Sequence, residues 1–424
     1  MSRGPAGWTT TTFPEIADIL DSKRVPLNAG QRAARPGPYP YYGANGLVDH
    51  VDGYLFDGDH VLLAEDGGHF DEPERGVAYT VHNRFWVNNH AHILKPIGGI
   101  NCGFLKAWLN ATNWLPFVGG TTRAKLTQAG LGQPEVPLPP LAEQERIVAK
   151  LDALTARTAQ ARAELDRVPA LAARYKQTIL AAEMYPQVGR MKPLSDVVTE
   201  ALIGLIRSRA DQSTVGGLPY VRMQHYDLDG VWNNDDLTYV AASDRERQRY
   251  GLRAGDLLFN TRNSADLVGK VALCPADVDG WVYNNNLLRL RFHQSVLPAF
   301  AFRQIQSPPF RAHLEDQKSA TTSVAAIYQG ALFRTPFWVP NLADQAAIVR
   351  RIDLAFTEIE RLTAEAAAAR RLLDRLDQAI LAKAFRGELV PQDPADEPAS
   401  ALLDRIKAER QDTPRARRGR RAAA

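Results

Sequence analysis

The chain has 424 residues, 45% of them hydrophobic and 23% charged, with a formal net charge of +3. That length holds two or three domains with cores of their own. No run of 18 apolar residues offers a membrane span, and the opening Met1-Ser2-Arg3-Gly4-Pro5 lacks the form of a secretory signal, so a cytoplasmic protein is expected. The mild positive balance admits nucleic acid without arguing for it. Cys102 and Cys274, far apart and without metal-type spacing, read as free thiols in a reducing compartment.

In chain order, residues 8–140 are rich in Gly, Pro, Asn and aromatics, with short apolar runs such as His60-Val61-Leu62-Leu63-Ala64 between turn signals. Short strands with a few helices fit that pattern. A helix is predicted from Leu141, after Pro137, Pro139 and Pro140. Ile147, Leu151, Leu154, Thr158, Ala161, Leu165, Val168, Ala172, Tyr175 and Ile179 fall at heptad a and d positions, and only Thr158 departs from an apolar seam. Pro169 removes a backbone donor and predicts a kink or break near Val168.

Residues 191–340 return to the strand-and-loop pattern, as in Asp256-Leu257-Leu258-Phe259, with a helix around Phe300–Gln306 and a turn at Ser307-Pro308-Pro309-Phe310. A second long helix follows Pro336 and Pro340. Its a and d positions are Ile348, Ile352, Ala355, Ile359, Leu362, Ala366, Ala369, Leu373, Leu376 and Ile380, all apolar. Beyond Gly387 come three prolines, a short amphipathic helix over 401–406, and a run of Arg415, Arg417, Arg418, Arg420 and Arg421. That run reads as a solvated end; a weak phosphate-binding tail is the sharper reading.

The two helices are copies of one another. Residues 139–184 align without a gap to 340–385, an offset of 201, with 15 identities over 46 positions. Leu141-Ala142-Glu143-Gln144 matches Leu342-Ala343-Asp344-Gln345, and Ile179-Leu180-Ala181 matches Ile380-Leu381-Ala382. So long a period signals a duplicated module of domain plus helix. The globular parts are only weakly alike, although Val87-Asn88-Asn89 resembles Tyr283-Asn284-Asn285 and Gly120-Thr121-Thr122 stands where Ala320-Thr321-Thr322 stands. Boundaries are expected at 1–140, 141–187, 188–340, 341–386 and 387–424. The fold class is α/β (α+β), with a pseudo-twofold internal repeat.

Catalytic signatures are missing from the sequence. There is no phosphate-binding Gly-x4-Gly-Lys-Ser/Thr loop and no dinucleotide glycine fingerprint. His82, His90 and His92 lack cysteines or carboxylates at zinc spacing, so no metal site is expected. Asp57, Asp59, Glu65 and Asp66 lack the trailing lysine of a nuclease. Ser307-Pro308-Pro309-Phe310 resembles an amino-methyltransferase tetrapeptide, but no methyl-donor turn accompanies it.

The string Pro137-Leu138-Pro139-Pro140-Leu141-Ala142-Glu143-Gln144-Glu145-Arg146-Ile147-Val148 resembles the central conserved helix of specificity subunits of type I restriction–modification systems. Val339-Pro340-Asn341-Leu342-Ala343-Asp344-Gln345 is similar to their distal conserved region, with Asn341 and Asp344 in place of the usual Pro and Glu. Ala384-Phe385-Arg386-Gly387-Glu388-Leu389-Val390-Pro391, Asp256–Ser264 with Val268-Gly269-Lys270, and Tyr39–Gly46 are also similar to family segments. The resemblance implies two target-recognition domains, each reading half of a split, asymmetric DNA sequence, separated by two long antiparallel coiled-coil helices. It further implies a non-catalytic subunit that carries two methyltransferase subunits and, through them, restriction subunits. Any S-adenosylmethionine, ATP and Mg would then lie in those partners, with no cofactor in this chain. A helix of about 44 residues would span roughly 66 Å and so set the half-sites a turn or more apart.

Base edges are read by forked or amide side chains, while cations hold phosphates. The candidates in the second domain are Asn260, Thr261, Arg262, Asn263 and Ser264, then Arg222, Gln224 and His225. In the first domain they are Tyr42 and Asn45, with Arg123 and Lys125 for phosphates or bases. Ile147, Leu151, Leu154, Leu165, Ile348, Ile352, Ile359, Leu362, Leu373 and Leu376 are the candidate coiled-coil and subunit-interface residues. The competing readings are a coiled-coil scaffold that binds no DNA and a stand-alone methyltransferase or nuclease.

Overall fold

The computed structural model describes residues 5–72, 75–120, 124–184, 191–320 and 324–412. Packing divides the chain into two compact units, Met1–Asp166 with Ala367–Ala424, and Arg167–Ala366. The division cuts both long helices, so each unit contains one end of each.

In the first unit, an antiparallel sheet orders its strands Ala17–Ile19, Ala91–Pro96, His60–Ala64, Ala78–Val81. His60–Ala64 is buried at all five positions rather than alternating. Both of its faces are covered: Val61 and Leu63 pack with Phe104, Leu105 and Trp108 of the helix Cys102–Ala111, while Leu62 joins Phe56, Phe85 and Val87. A second sheet pairs Gly46–Val51 with Tyr39–Gly43, which runs parallel to Trp86–Val87. Thr9–Thr12 pairs with Glu135–Leu138 just ahead of the first long helix.

The second unit uses the same plan. Its sheet orders Val198–Ile203, Leu287–Phe292, Leu257–Asn260, Val271–Leu273, again first, last, second, third in the chain. Leu218–Val221 runs parallel to Val282–Tyr283, and Met191–Pro193 pairs with Pro336–Trp338 ahead of the second long helix. The Asn-Asn turns seen in sequence do one job in both. Asn88 N donates to Tyr42 O and its Oδ1 accepts from His90 N; Asn284 N donates to Val221 O and its Oδ1 accepts from Asn286 N. The duplication therefore includes the globular parts, whose side chains have diverged around a kept backbone.

The long helices span Leu141–Met184 and Leu342–Phe385, 44 residues each. Within each unit they run antiparallel, numbers rising on one as they fall on the other. Arg162 bonds Asp374 and Asp377 at 3.0 and 2.7 Å, and Arg370 bonds Asp166 at 3.2 Å, in the first unit. Lys176 meets Glu360 at 3.2 Å and Arg351 meets Glu183 at 2.5 Å in the second. Ile147, Leu151, Ile348, Ile352 and Ile359 are buried, Leu154, Leu165 and Leu373 half-buried, and Leu362 and Leu376 exposed. Two helices cover only a narrow seam, and the most buried positions are those that also face a globular core. Phe356, outside the predicted register, is buried there too.

Each helix is tied to its own unit by the repeated glutamine. Gln144 Nε2 donates to Pro139 O and its Oε1 accepts from Asn101 N, while Gln345 donates to Pro340 O and accepts from Leu297 N. Both side chains have no exposed surface.

Three local expectations need correction. The first long helix is not broken at Pro169 but continues through it to Met184, with one backbone donor missing from its interior. Ser307-Pro308-Pro309-Phe310 opens a second helix, Pro308–Glu315, instead of a turn; proline suits the first helical turn, where its lost donor has no intrahelical role. The C-terminal helix is longer than expected, Ala399–Asp412, and Ala399, Leu402, Leu403 and Ile406 are buried in the first unit's core. The arginine run of the tail and the Thr-Thr pairs at 121–122 and 321–322 lie outside the described residues.

Candidate nucleic-acid interface

In the second unit, the strand Leu257–Asn260 leaves the sheet and passes into Arg262–Asn263, which pairs with Ala325–Ala326. The turn that follows closes on itself, with Val268 N bonded to Ser264 O and Gly269 N to Asn260 O. Arg262 and Ser264 are exposed, and Asn263 is half-buried with its Oδ1 accepting from Ser264 N. Among the described residues, no hydrogen bond or ion pair engages the Arg262 guanidinium. Thr261 is buried, its Oγ1 donating to Asn286 O, and Asn260 has no exposed surface. As placed, those two side chains offer solvent nothing with which to read a base.

The second-choice residues separate in the same way. His225 is buried, Nδ1 accepting from Arg222 N and Nε2 bonded to Asp236 O. Burial holds its imidazole below the ordinary range. It is a structural residue of the loop. Arg222 is half-buried and Gln224 exposed.

In the first unit, Tyr42 is half-buried, its ring 5.8 Å from that of Tyr79 and 6.1 Å from that of Phe85. Asn45 is exposed and its Nδ2 donates to Gly67 O at 3.0 Å. Tyr42, Asn45, Leu47, His69, Arg75 and Tyr79 line a cleft of about 430 Å³. Leu47, His69 and Arg75 carried no signal in the sequence, since only the fold brings residues 69–79 beside the turn at 43–47. Lys125 is half-exposed and pairs with Glu65 at 3.0 Å. Arg123 lies outside the described residues.

Beneath Lys125, Asp21, Glu65 and His92 bring three ligand-type atoms within 4.8 Å of one another. Sequence spacing hid this, because Asp21 lies 71 residues from His92. Every group is already engaged. His92 bonds Asp21 at 2.6 Å and Leu126 O at 2.9 Å; Asp21 also accepts from Gln128 and from Ile93 N; Glu65 accepts from Arg24 at 2.6 Å. Burial opposes ionisation of Asp21 and Glu65, but these donors outweigh it and hold both carboxyls below the usual range. The arrangement is an internal ion network that fixes the strand carrying Lys125.

Comparison with known proteins agrees with this architecture. Residues 5–169 match the family described as type I restriction modification DNA specificity domain. A putative type I restriction enzyme specificity subunit of Haemophilus influenzae is 42% identical over 146 residues, covering 34% of this chain and 37% of that protein. The EcoKI specificity subunit of Escherichia coli is 29% identical over 345 residues, covering 75% of this chain and 74% of its own. Among solved structures, a chain of a type I R-M system has a TM-score of 0.69 at 21% identity, covering 92% of this chain and all of that one. The HsdS subunit from Thermoanaerobacter tengcongensis has a TM-score of 0.57 at 20% identity, covering 91% of this chain and 98% of its own. With its duplicated fold and paired long helices, the chain is similar over most of its length to type I restriction–modification DNA specificity subunits, and its residues 5–169 match their family.

Proposed function

We propose that this chain directs a type I restriction–modification complex to a split, asymmetric DNA site, each globular region reading one half. The carrying observation is that equivalent backbone positions hold chemically opposite side chains. Thr261 N bonds Asn286 O as Glu65 N bonds His90 O, so the next residues correspond: Arg262 in one unit, Asp66 in the other. Asp66 is half-buried and bonded to His90 Nδ1 at 2.6 Å, whereas the exposed Arg262 can fork onto guanine, so the two units present different chemistry at this position. The helix anchors Gln144 and Gln345, by contrast, are identical. On this reading the paired helices carry two methyltransferase subunits and, through them, restriction subunits. S-adenosylmethionine, ATP and Mg belong to those partners. Helix length sets the gap between half-sites.

The complex reconstituted with its methyltransferase is expected to bind duplex DNA with strong salt dependence. Arg262→Ala should weaken cognate binding by about 1–3 kcal/mol and relax the preference at one base pair. Unchanged selectivity in a competition assay would remove Arg262 from the reading surface.

A further inference from the structure

The turn that follows the exposed Arg262 is flanked by half-buried cations. Arg311 Nη1 donates to Gly269 O, and Lys318 Nζ donates to Ala265 O at 2.9 Å and to Glu315. Among the described residues, these are the donors that reach the two carbonyls. Gly269 sits at φ +80°, and a Cβ there would meet Arg311 Nη1 at 3.2 Å and Ile327 Cδ1 at 3.0 Å. The guanidinium and the turn are thus packed as one piece. Arg311 rides on the helix Pro308–Glu315, whose Phe310 and Leu314 are buried in the unit's core. The Lys318 side chain is only 14% exposed. Nearby, Lys270 Nζ is also turned inward, donating to Tyr226 O at 2.8 Å. Cations that hold phosphates keep their charge at the surface; these are spent on backbone oxygens.

We propose that Arg311 and Lys318 are positioning residues, clamping the backbone of the 264–270 turn so that Arg262 is presented in one geometry, and that neither is a phosphate ligand. The proposal rests on the reading of Arg262 given above. Loss of the clamp leaves the cationic surface intact but lets the turn move, so it removes discrimination without removing general affinity.

The test uses the full chain with its methyltransferase, the mapped target duplex and a scrambled duplex, across a salt series. Arg311→Met and Lys318→Met should each lower cognate affinity about tenfold, leaving scrambled-duplex affinity and the salt slope unchanged. Arg311→Lys should restore part of the loss. Hydrogen exchange should rise at the amides of 264–270 and stay at the wild-type rate in Leu257–Phe259. A salt slope reduced by about one per cation, with both duplexes weakened alike, would identify phosphate ligands and overturn the proposal. Unchanged exchange in the turn, including in the milder Lys318→Met, would overturn it too. If Arg262→Ala leaves cognate affinity intact while exchange rises in the clamp variants, the clamp stands and the reading of Arg262 falls.

Discussion

At the scale of single residues, the first unit depends on charges drawn from distant parts of the chain. Asp21, Glu65 and His92, with Arg24, Lys125 and Gln128, knit a strand, a short 3-10 turn and the Lys125 strand together. Because the Asp21 and Glu65 carboxyls titrate lower in the folded protein than in the unfolded chain, their contribution is present above the ordinary carboxylate range. It is lost as pH falls through the folded-state values. Urea unfolding should therefore show stability falling steeply below about pH 4. Asp21→Asn should cost about 1–3 kcal/mol at pH 7 and flatten that acid limb. An acid limb unchanged in the variant would show that other carboxylates govern it. None of this network was legible in the sequence, where its members are scattered among unrelated turns. Asn260 and His225 misled for a related reason. Residue type marks the chemistry a side chain can do, but only the fold decides whether it faces water.

At the scale of elements, the long helices were legible because their signal is local: an apolar residue recurs every three or four positions and needs no knowledge of the partner. The strand orders were not legible, since pairings such as Val198–Ile203 with Leu287–Phe292 join segments about ninety residues apart. The shared Gln144 and Gln345 stood out as identities, yet their role as anchors emerges only from the bonds to Asn101 N and Leu297 N. Gln345→Leu removes the side-chain partner of that donor and of the Ser295 and Pro340 carbonyls, all partly buried. The change should cost about 1–3 kcal/mol, read as a lower unfolding midpoint, with hydrogen exchange rising at the start of the helix Pro298–Gln306. A wild-type midpoint would mean the anchor is dispensable. The C-terminal helix was legible as amphipathic, though not as part of the first unit. There Arg146 bonds Asp396 at 2.5 Å and Arg410 bonds Asp18 at 2.9 Å. Leu402→Ala, at a fully buried site, should cost about 2–5 kcal/mol and raise exchange in Thr9–Thr12 but not in Val198–Ile203. Equal effects in both strands would argue against a local role.

At the scale of the whole molecule, the duplication reaches further than the two helices that keep a strict 201-residue offset. Strand order, the parallel strand pair, the Asn turn and the glutamine anchor recur in both units, whereas the exposed Arg262 and the half-buried, His90-paired Asp66 differ at one equivalent position. A duplication that keeps its frame and varies its reading positions suits two unlike half-sites held at a fixed spacing. The most direct test is to map modified bases genome-wide in cells with and without this gene, its methyltransferase partner present in both. The account predicts that one split, asymmetric motif loses modification when the gene is removed, with an unread spacer of constant length. Modification that persists, or a lost motif that is continuous and symmetric, would contradict it.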